Sequence, residues 1–311
     1  MTTLKTTTTY ACSRLFSLLT VALLLLFRAE SRAGGWTQPK GKSYLQFSFL
    51  RFSTDREFLF NNGMDAALNT GFNLQQASQL LDSRFSAHAL SFYGEVGLDD
   101  GLTIIVATSF QNFSQSFCNA RASSDGVFLD TVSMNMNVSG LGDTRLSARF
   151  QLAQLPFGVV ALQGGVKIPT GSASTSIPFG TGQPDIELAL QGGVAFPFLG
   201  GFGYATADVG YRYRLGEVFN DEAFYFVQVG APLVGGVSAK FGWFSTISIG
   251  EIRLPSSGTN QINNYTLNRV NAGLAYDFSQ TVGFSGEIFQ DVSGRNVAKG
   301  TTLIASLYLK L

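Results

Sequence analysis

From Arg145 to Leu152 the chain reads RLSARFQL, with Leu146, Ala148, Phe150 and Leu152 alternating against Arg145, Ser147, Arg149 and Gln151. Alternate side chains of a β-strand leave opposite faces, so a period of two makes a strand that is apolar on one side and polar on the other. The same alternation sets Ile186, Leu188 and Leu190 against Asp185 and Glu187, and Ala207, Val209, Tyr211 and Tyr213 against Asp208, Arg212 and Arg214. It predicts twelve strands, near 42–54, 83–97, 101–113, 143–153, 159–169, 184–196, 201–214, 222–234, 236–249, 263–277, 280–292 and 300–311. Most have ten or more residues. That is about twice the ~5–6 of a soluble strand and close to the ~9–11 of a tilted strand crossing a bilayer.

The connections alternate as well. Short turns at 99–100, 154–158, 197–200, 233–235 and 278–279 fall between mostly longer segments at 55–82, 114–142, 170–183, 215–221, 250–262 and 293–299. Short turns on one side and long loops on the other are the outer-membrane pattern. Hydrocarbon leaves no unpaired backbone group tolerable, so such strands must close into a ring. The expected fold class is therefore all-β, a closed antiparallel transmembrane β-barrel of about 12 strands over 34–311. Aromatic residues support it. Phe110, Tyr211, Tyr213, Tyr225, Phe241 and Trp243 fall toward one expected rim, and Phe196, Tyr276 and Phe278 toward the other, where amphipathic rings suit the headgroup zone.

The first 33 residues read as a cleaved signal peptide. Lys5 and Arg14 precede the apolar run Leu15–Phe27, and Ser31 and Ala33 offer the small residues of a cleavage site. The run is too short for a spanning helix, which needs roughly 20 apolar residues, and Cys12 lies before it, unlike a lipoprotein cysteine. Removal of 1–33 leaves 17 basic and 20 acidic residues, a balance that argues against nucleic acid as a partner. Cys118 is then the sole cysteine, which excludes an internal disulfide.

No constellation for catalysis or metal binding stands out, and neither an enzyme nor a cofactor is expected. His88 is the single histidine, with Ser86 and Ser91 nearby but no His-x-Ser-Asn arrangement. It alternates with Arg84 on a polar face, which reads as a lumen or rim histidine. The informative set is the polar side of the strands: Arg84, His88, Arg145, Arg149 and Lys167, then Asp185, Glu187, Asp208, Arg212 and Arg214, then Lys240, Arg269 and Glu287, with Glu95 and Asp291 beside them. In a barrel that side is the lumen. Mixed signs suggest paired charges, which either brace the barrel or contact a solute. The segment 55–82 holds Phe58, Leu59, Phe60, Leu68, Phe72, Leu74, Leu80 and Leu81. It is a candidate plug or lid, or else a short helix packed over the rim.

Trp36-Thr37-Gln38-Pro39-Lys40-Gly41, Ser139-Gly140-Leu141-Gly142-Asp143, Lys167-Ile168-Pro169-Thr170-Gly171 and Gly180-Thr181-Gly182-Gln183-Pro184-Asp185 resemble an outer-membrane transporter family. It is filed under the meta-pathway of phenol degradation and is similar to long-chain fatty-acid and aromatic-hydrocarbon channels. The resemblance implies a bacterial outer-membrane barrel that passes small apolar or aromatic solutes. Its partners would be outer-membrane lipid, the solute and the barrel-assembly machinery. The chain ends on Leu311, with Tyr308 three places earlier, rather than on the usual terminal aromatic; the apolar alternation still predicts insertion. Two further readings are a closed structural or surface-interaction barrel without transport, and an outer-membrane hydrolase.

Overall fold

The structure, a computed structural model, describes residues 35–58, 65–67, 78–122, 128–175, 177–199, 201–216, 219–250 and 265–311. The expected signal peptide over 1–33 lies outside them.

Among the described residues fourteen strands follow one another: β1 (Ser43–Phe58), β2 (Asp65–Ala67), β3 (Ser78–Asp99), β4 (Leu102–Ala122), β5 (Phe128–Leu141), β6 (Thr144–Leu155), β7 (Gly158–Ile168), β8 (Asp185–Phe198), β9 (Gly201–Arg214), β10 (Asp221–Pro232), β11 (Val237–Ile249), β12 (Thr266–Asp277), β13 (Val282–Arg295) and β14 (Val297–Lys310). Twelve of them pair antiparallel in a ring, which closes where β14 meets β1 from Tyr44↔Lys310 to Phe58↔Val297. This is the expected twelve-strand barrel. β2 lengthens the sheet beside the end of β1, and β5 pairs β4 above β6.

The expected short turns are present at one end of the barrel, and the departures are at the other. The segment 114–142, expected as a loop containing Cys118, instead continues β4 and forms β5. The segment 293–299 is a tight hairpin turning at Asn296, with φ 54°. Of the expected plug at 55–82, the described parts are strand. Phe58 there is buried with Phe219, Tyr265, Leu267 and Val297, while 59–64 and 68–77 lie outside the described residues.

Two faces follow from the alternation. Outward, large apolar side chains form a belt that includes Phe47, Leu146, Phe150, Leu188, Val209, Ile288 and Leu303, each more than two-fifths exposed. A belt of this extent belongs against hydrocarbon, not water. Tyr211, Tyr213 and Tyr225 stand near one edge of it, and Tyr276 and Phe278 at the other. Phe241 and Trp243 do not mark a rim; they lie mid-strand in β11, opposite Val229 and Val227.

The belt has a sharp upper edge on β1, β3, β4 and β5. Phe49, Leu90, Phe110 and Leu141 are cross-strand neighbours and all point outward. One outward row higher stand Arg51, His88, Asn112 and Ser139. Above that edge the inward row is apolar, Phe52–Ala87–Phe113–Val138. The sheet therefore inverts its polarity along its length, apolar outside in the belt and apolar inside above it. This corrects the expected facing of Arg84 and His88. Both leave the outer face of β3, where Leu90 also points, and neither lines the lumen.

Candidate functional site

The inner faces of β6 to β10 carry a chain of ion pairs. Lys167 Nζ lies 2.9 Å from Asp185 and 3.2 Å from Asp143, and Arg214 reaches Asp185 at 3.3 Å. Arg212 Nε lies 2.6 Å from Glu187, which Arg145 approaches at 3.7 Å. Arg212 and Arg214 both donate to Glu222, which also accepts from the Tyr265 hydroxyl. Four cations thus face four carboxylates. Alternate residues of neighbouring strands converge on one surface, and an opposite charge beside each group is what lets charges sit where water is scarce. Burial, and then the Glu222 carboxylate, push the Tyr265 phenol above its ordinary value of 10.0.

A second polar centre lies toward the short-turn end. Arg149, 1% exposed, pairs with Glu95 at 3.2 Å and donates to Gln163 at 3.2 Å. It also donates to the Trp36 carbonyl at 2.9 Å. The segment before β1 therefore runs inside the barrel. Gln38 donates through its side chain to Glu95 at 2.6 Å and through its backbone to Thr103 at 2.7 Å. The Trp36 ring lies against Gly193, where a Cβ would come within 2.3 Å of it. This strap borders a cavity of about 620 Å³ lined by Trp36, Gln38, Glu95, Tyr204, Gln228, Lys240, Glu287 and Tyr308 among others. In that cavity Lys240 pairs with Glu287 at 2.6 Å.

Elsewhere Arg269 pairs with Asp291 at 2.8 Å, and Asp208 accepts from Gln191 at 3.1 Å. Eleven of the thirteen residues singled out in the sequence thus face inward: Arg145, Arg149, Lys167, Asp185, Glu187, Asp208, Arg212, Arg214, Lys240, Arg269 and Glu287. They fall into separate groups rather than one site. Glu222, Asp143, Tyr265 and Trp36 were not foreseen. Glu222 shares its face with Phe224 and Phe226, so no polar alternation marks it. Asp143 sits in the break between β5 and β6, where side-chain direction cannot be read from a period of two.

The third feature is apolar. β4 pairs β6 through residues 102–107 and β5 through 110–122. β7 ends at Ile168, opposite Thr144, so β5 has β4 as its single strand partner among the described residues. The segment 169–184 folds into the space beside it. Asp143 holds this segment by accepting from the backbone of Gly171 at 3.1 Å and of Thr181 at 3.2 Å, and Thr170 donates to the Gly142 carbonyl at 2.8 Å. Its Phe179 ring stacks on Phe113 with centroids 5.0 Å apart, in a cluster with Phe52, Phe85, Ala87, Ile177 and Ala298. Among the described residues no group of acidic, histidine and cysteine side chains is placed to hold a metal.

No family model matches the chain, and no curated protein matches it. Solved structures do. An outer membrane channel from Pseudomonas putida F1 superposes with a TM-score of 0.60 at 14% identity, over 91% of this chain and 100% of that one. The transport unit of an Escherichia coli autotransporter gives 0.50 at 8% identity, over 97% and 98%. A toluene transporter of Ralstonia pickettii gives 0.44 at 9% identity, over 88% and 90%. The likeness is one of fold, and the chain is a closed antiparallel β-barrel of twelve strands built as the Pseudomonas channel is.

Proposed function

We propose that the chain is a bacterial outer-membrane channel for passive passage of a small apolar or aromatic solute, delivered to that membrane by a cleaved signal peptide. One observation carries the reading: an apolar seat of Phe52, Phe85, Phe113, Ile177 and Phe179 inside a barrel that also carries buried ion pairs on its inner face. It lies at the long-loop end, and the 620 Å³ cavity lies toward the other. A solute would pass from the seat, past the charged groups, to that cavity. The partners of this reading are outer-membrane lipid against the belt, the solute in the lumen, and the barrel-assembly machinery at the strand edges, with no nucleic acid. The inward charges other than Arg84 and His88 would line the path.

A non-enzymatic role fits the surroundings of the single histidine. His88 is on the outer face, its ring stacked on Phe49 at 6.0 Å, away from the lumen. The alternative of a closed structural barrel draws on the pairing of the inner charges and on the Trp36 strap, both of which brace the wall. Uptake separates the two. Cells lacking the gene, with and without the restored chain, are given labelled toluene. Several-fold faster initial uptake on restoration is the expected result. Equal rates, with folded protein shown in the outer membrane by heat-modifiable gel mobility, would favour the structural barrel.

A further inference from the structure

A path through the lumen leaves Arg84 and His88 without a role, and their place on the outer face suggests one. His88 and Arg51 are cross-strand partners on that face, in the first row above the apolar belt. Belt residues bound Arg51 on two sides. Phe49, 47% exposed, precedes it by two residues on β1, and Leu303, 50% exposed, lies opposite it on β14. The His88 ring stacks on Phe49 with the planes 21° apart. A guanidinium and an imidazole thus stand side by side at the depth where hydrocarbon gives way to headgroups, the level to which long cationic side chains near a membrane edge direct their polar ends.

The surroundings leave these two groups open to an anion. Asn112, next in the row, is engaged within the sheet and donates to Ser139 at 2.6 Å. The row above holds Ser53 opposite Ser86, neither of them charged. Arg84 follows, exposed and four residues from His88, roughly 14 Å along the strand at ~3.4 Å per residue. Asp55 is the acidic residue nearest to Arg51 on β1, yet among the described residues no ion pair joins it to Arg51 or Arg84. A guanidinium beside an imidazole suits a phosphate. Arginine offers a fork of N–H donors to its oxygens, and imidazole keeps an N–H donor in either charge state. A lipid brings its phosphate to this depth and lays its acyl chains on Phe49 and Leu303; a free anion gains nothing from those apolar neighbours.

We propose that Arg51 and His88, with Arg84 above them, bind a phosphate group of an outer-leaflet lipid whose acyl chains lie along Phe49 and Leu303. The inference rests on the outer-membrane reading for its leaflet but not for its test. The probes are diphosphoryl lipid A and the same lipid stripped of its phosphates, added to the refolded full chain in detergent and followed by native mass spectrometry. The wild type is expected to bind the phosphorylated lipid about tenfold more tightly, the scale of one charge-assisted contact. Arg51→Gln combined with His88→Gln should bring the two lipids to equal binding. Lys40→Gln combined with Lys42→Gln removes two exposed cations at the short-turn end and should leave the preference intact. His88→Arg keeps a donor in place and should preserve it.

No preference in the wild type, a preference that survives the paired glutamines, or an equal loss in the lysine control would each overturn the proposal. Displacement of the lipid by an equal concentration of inorganic phosphate would also overturn it, as the site would then be one for free anions. Should the paired variant fail to fold, shown by heat-modifiable gel mobility, Arg51→Gln alone is expected to lose most of the preference; full retention would count against the site. Preference for the phosphorylated lipid in a chain that gives no cellular uptake would remove the transport reading and leave the lipid site. Uptake without that preference would do the reverse.

Discussion

Leu90 and His88 leave the same face of β3 two residues apart, and the edge of the apolar belt falls between them. Leu90 is 63% exposed in the row of Phe49, Phe110 and Leu141, while His88 stands in the row of Arg51, Asn112 and Ser139. Below the edge the outside is apolar because it meets hydrocarbon. Above it the sheet faces water and hides its apolar side, as a soluble sheet does.

Depth should therefore decide tolerance to charge on the outer face. Leu190→Arg, outward on β8 opposite the belt residue Val209, is expected to cost about 2–4 kcal/mol of folding stability in a bilayer. His88→Arg should stay within about 0.5 kcal/mol, as surface changes usually do. Denaturant titration of protein folded into lipid vesicles measures both, and equal penalties would remove the belt edge from its assigned place.

Glu222 is the carboxylate on which Arg212, Arg214 and Tyr265 converge. Glu222→Gln keeps its shape and removes its charge, leaving two buried guanidinium groups short of a partner. The expected loss is about 3–5 kcal/mol, read as a lowered unfolding midpoint. Arg145→Gln, whose partner Glu187 keeps Arg212 at 2.6 Å, should cost clearly less.

The Trp36 strap crosses the lumen at the short-turn end. Gly193→Val places a side chain where the Trp36 ring now lies and should expel the strap without changing any charge. Single-channel recordings in planar bilayers are expected to show higher conductance for Gly193→Val than for the wild type. Arg149→Gln, which weakens the hold on the Trp36 carbonyl, should act in the same direction. Unchanged conductance in both would mean that the strap does not limit the path.

Asp143 ties the segment 169–184 to the break between β5 and β6, and it also pairs with Lys167. Asp143→Ala should loosen that segment, giving faster cleavage there by an added protease with the barrel core intact. Cleavage at the wild-type rate would show that the Phe179 stack and the other backbone contacts suffice.

The period of two was enough to read the twelve strands, their antiparallel order, the short turns and the belt, because alternation is a local property that each segment carries alone. It also brought eleven charged residues to the inner side. It misled at Arg84 and His88 because a polar face does not say whether it looks into a lumen or out above a membrane edge; only the register of β1, β3, β4 and β5 shows where the edge lies. The continuation of β4 into β5 was equally hidden, since strand there depends on pairing across the hairpin. Trp36 inside the lumen, Glu222 at the meeting of three partners and Phe179 on Phe113 join residues far apart in the chain. Such contacts arise only once the ring has closed, when side chains from separate strands share one enclosed space.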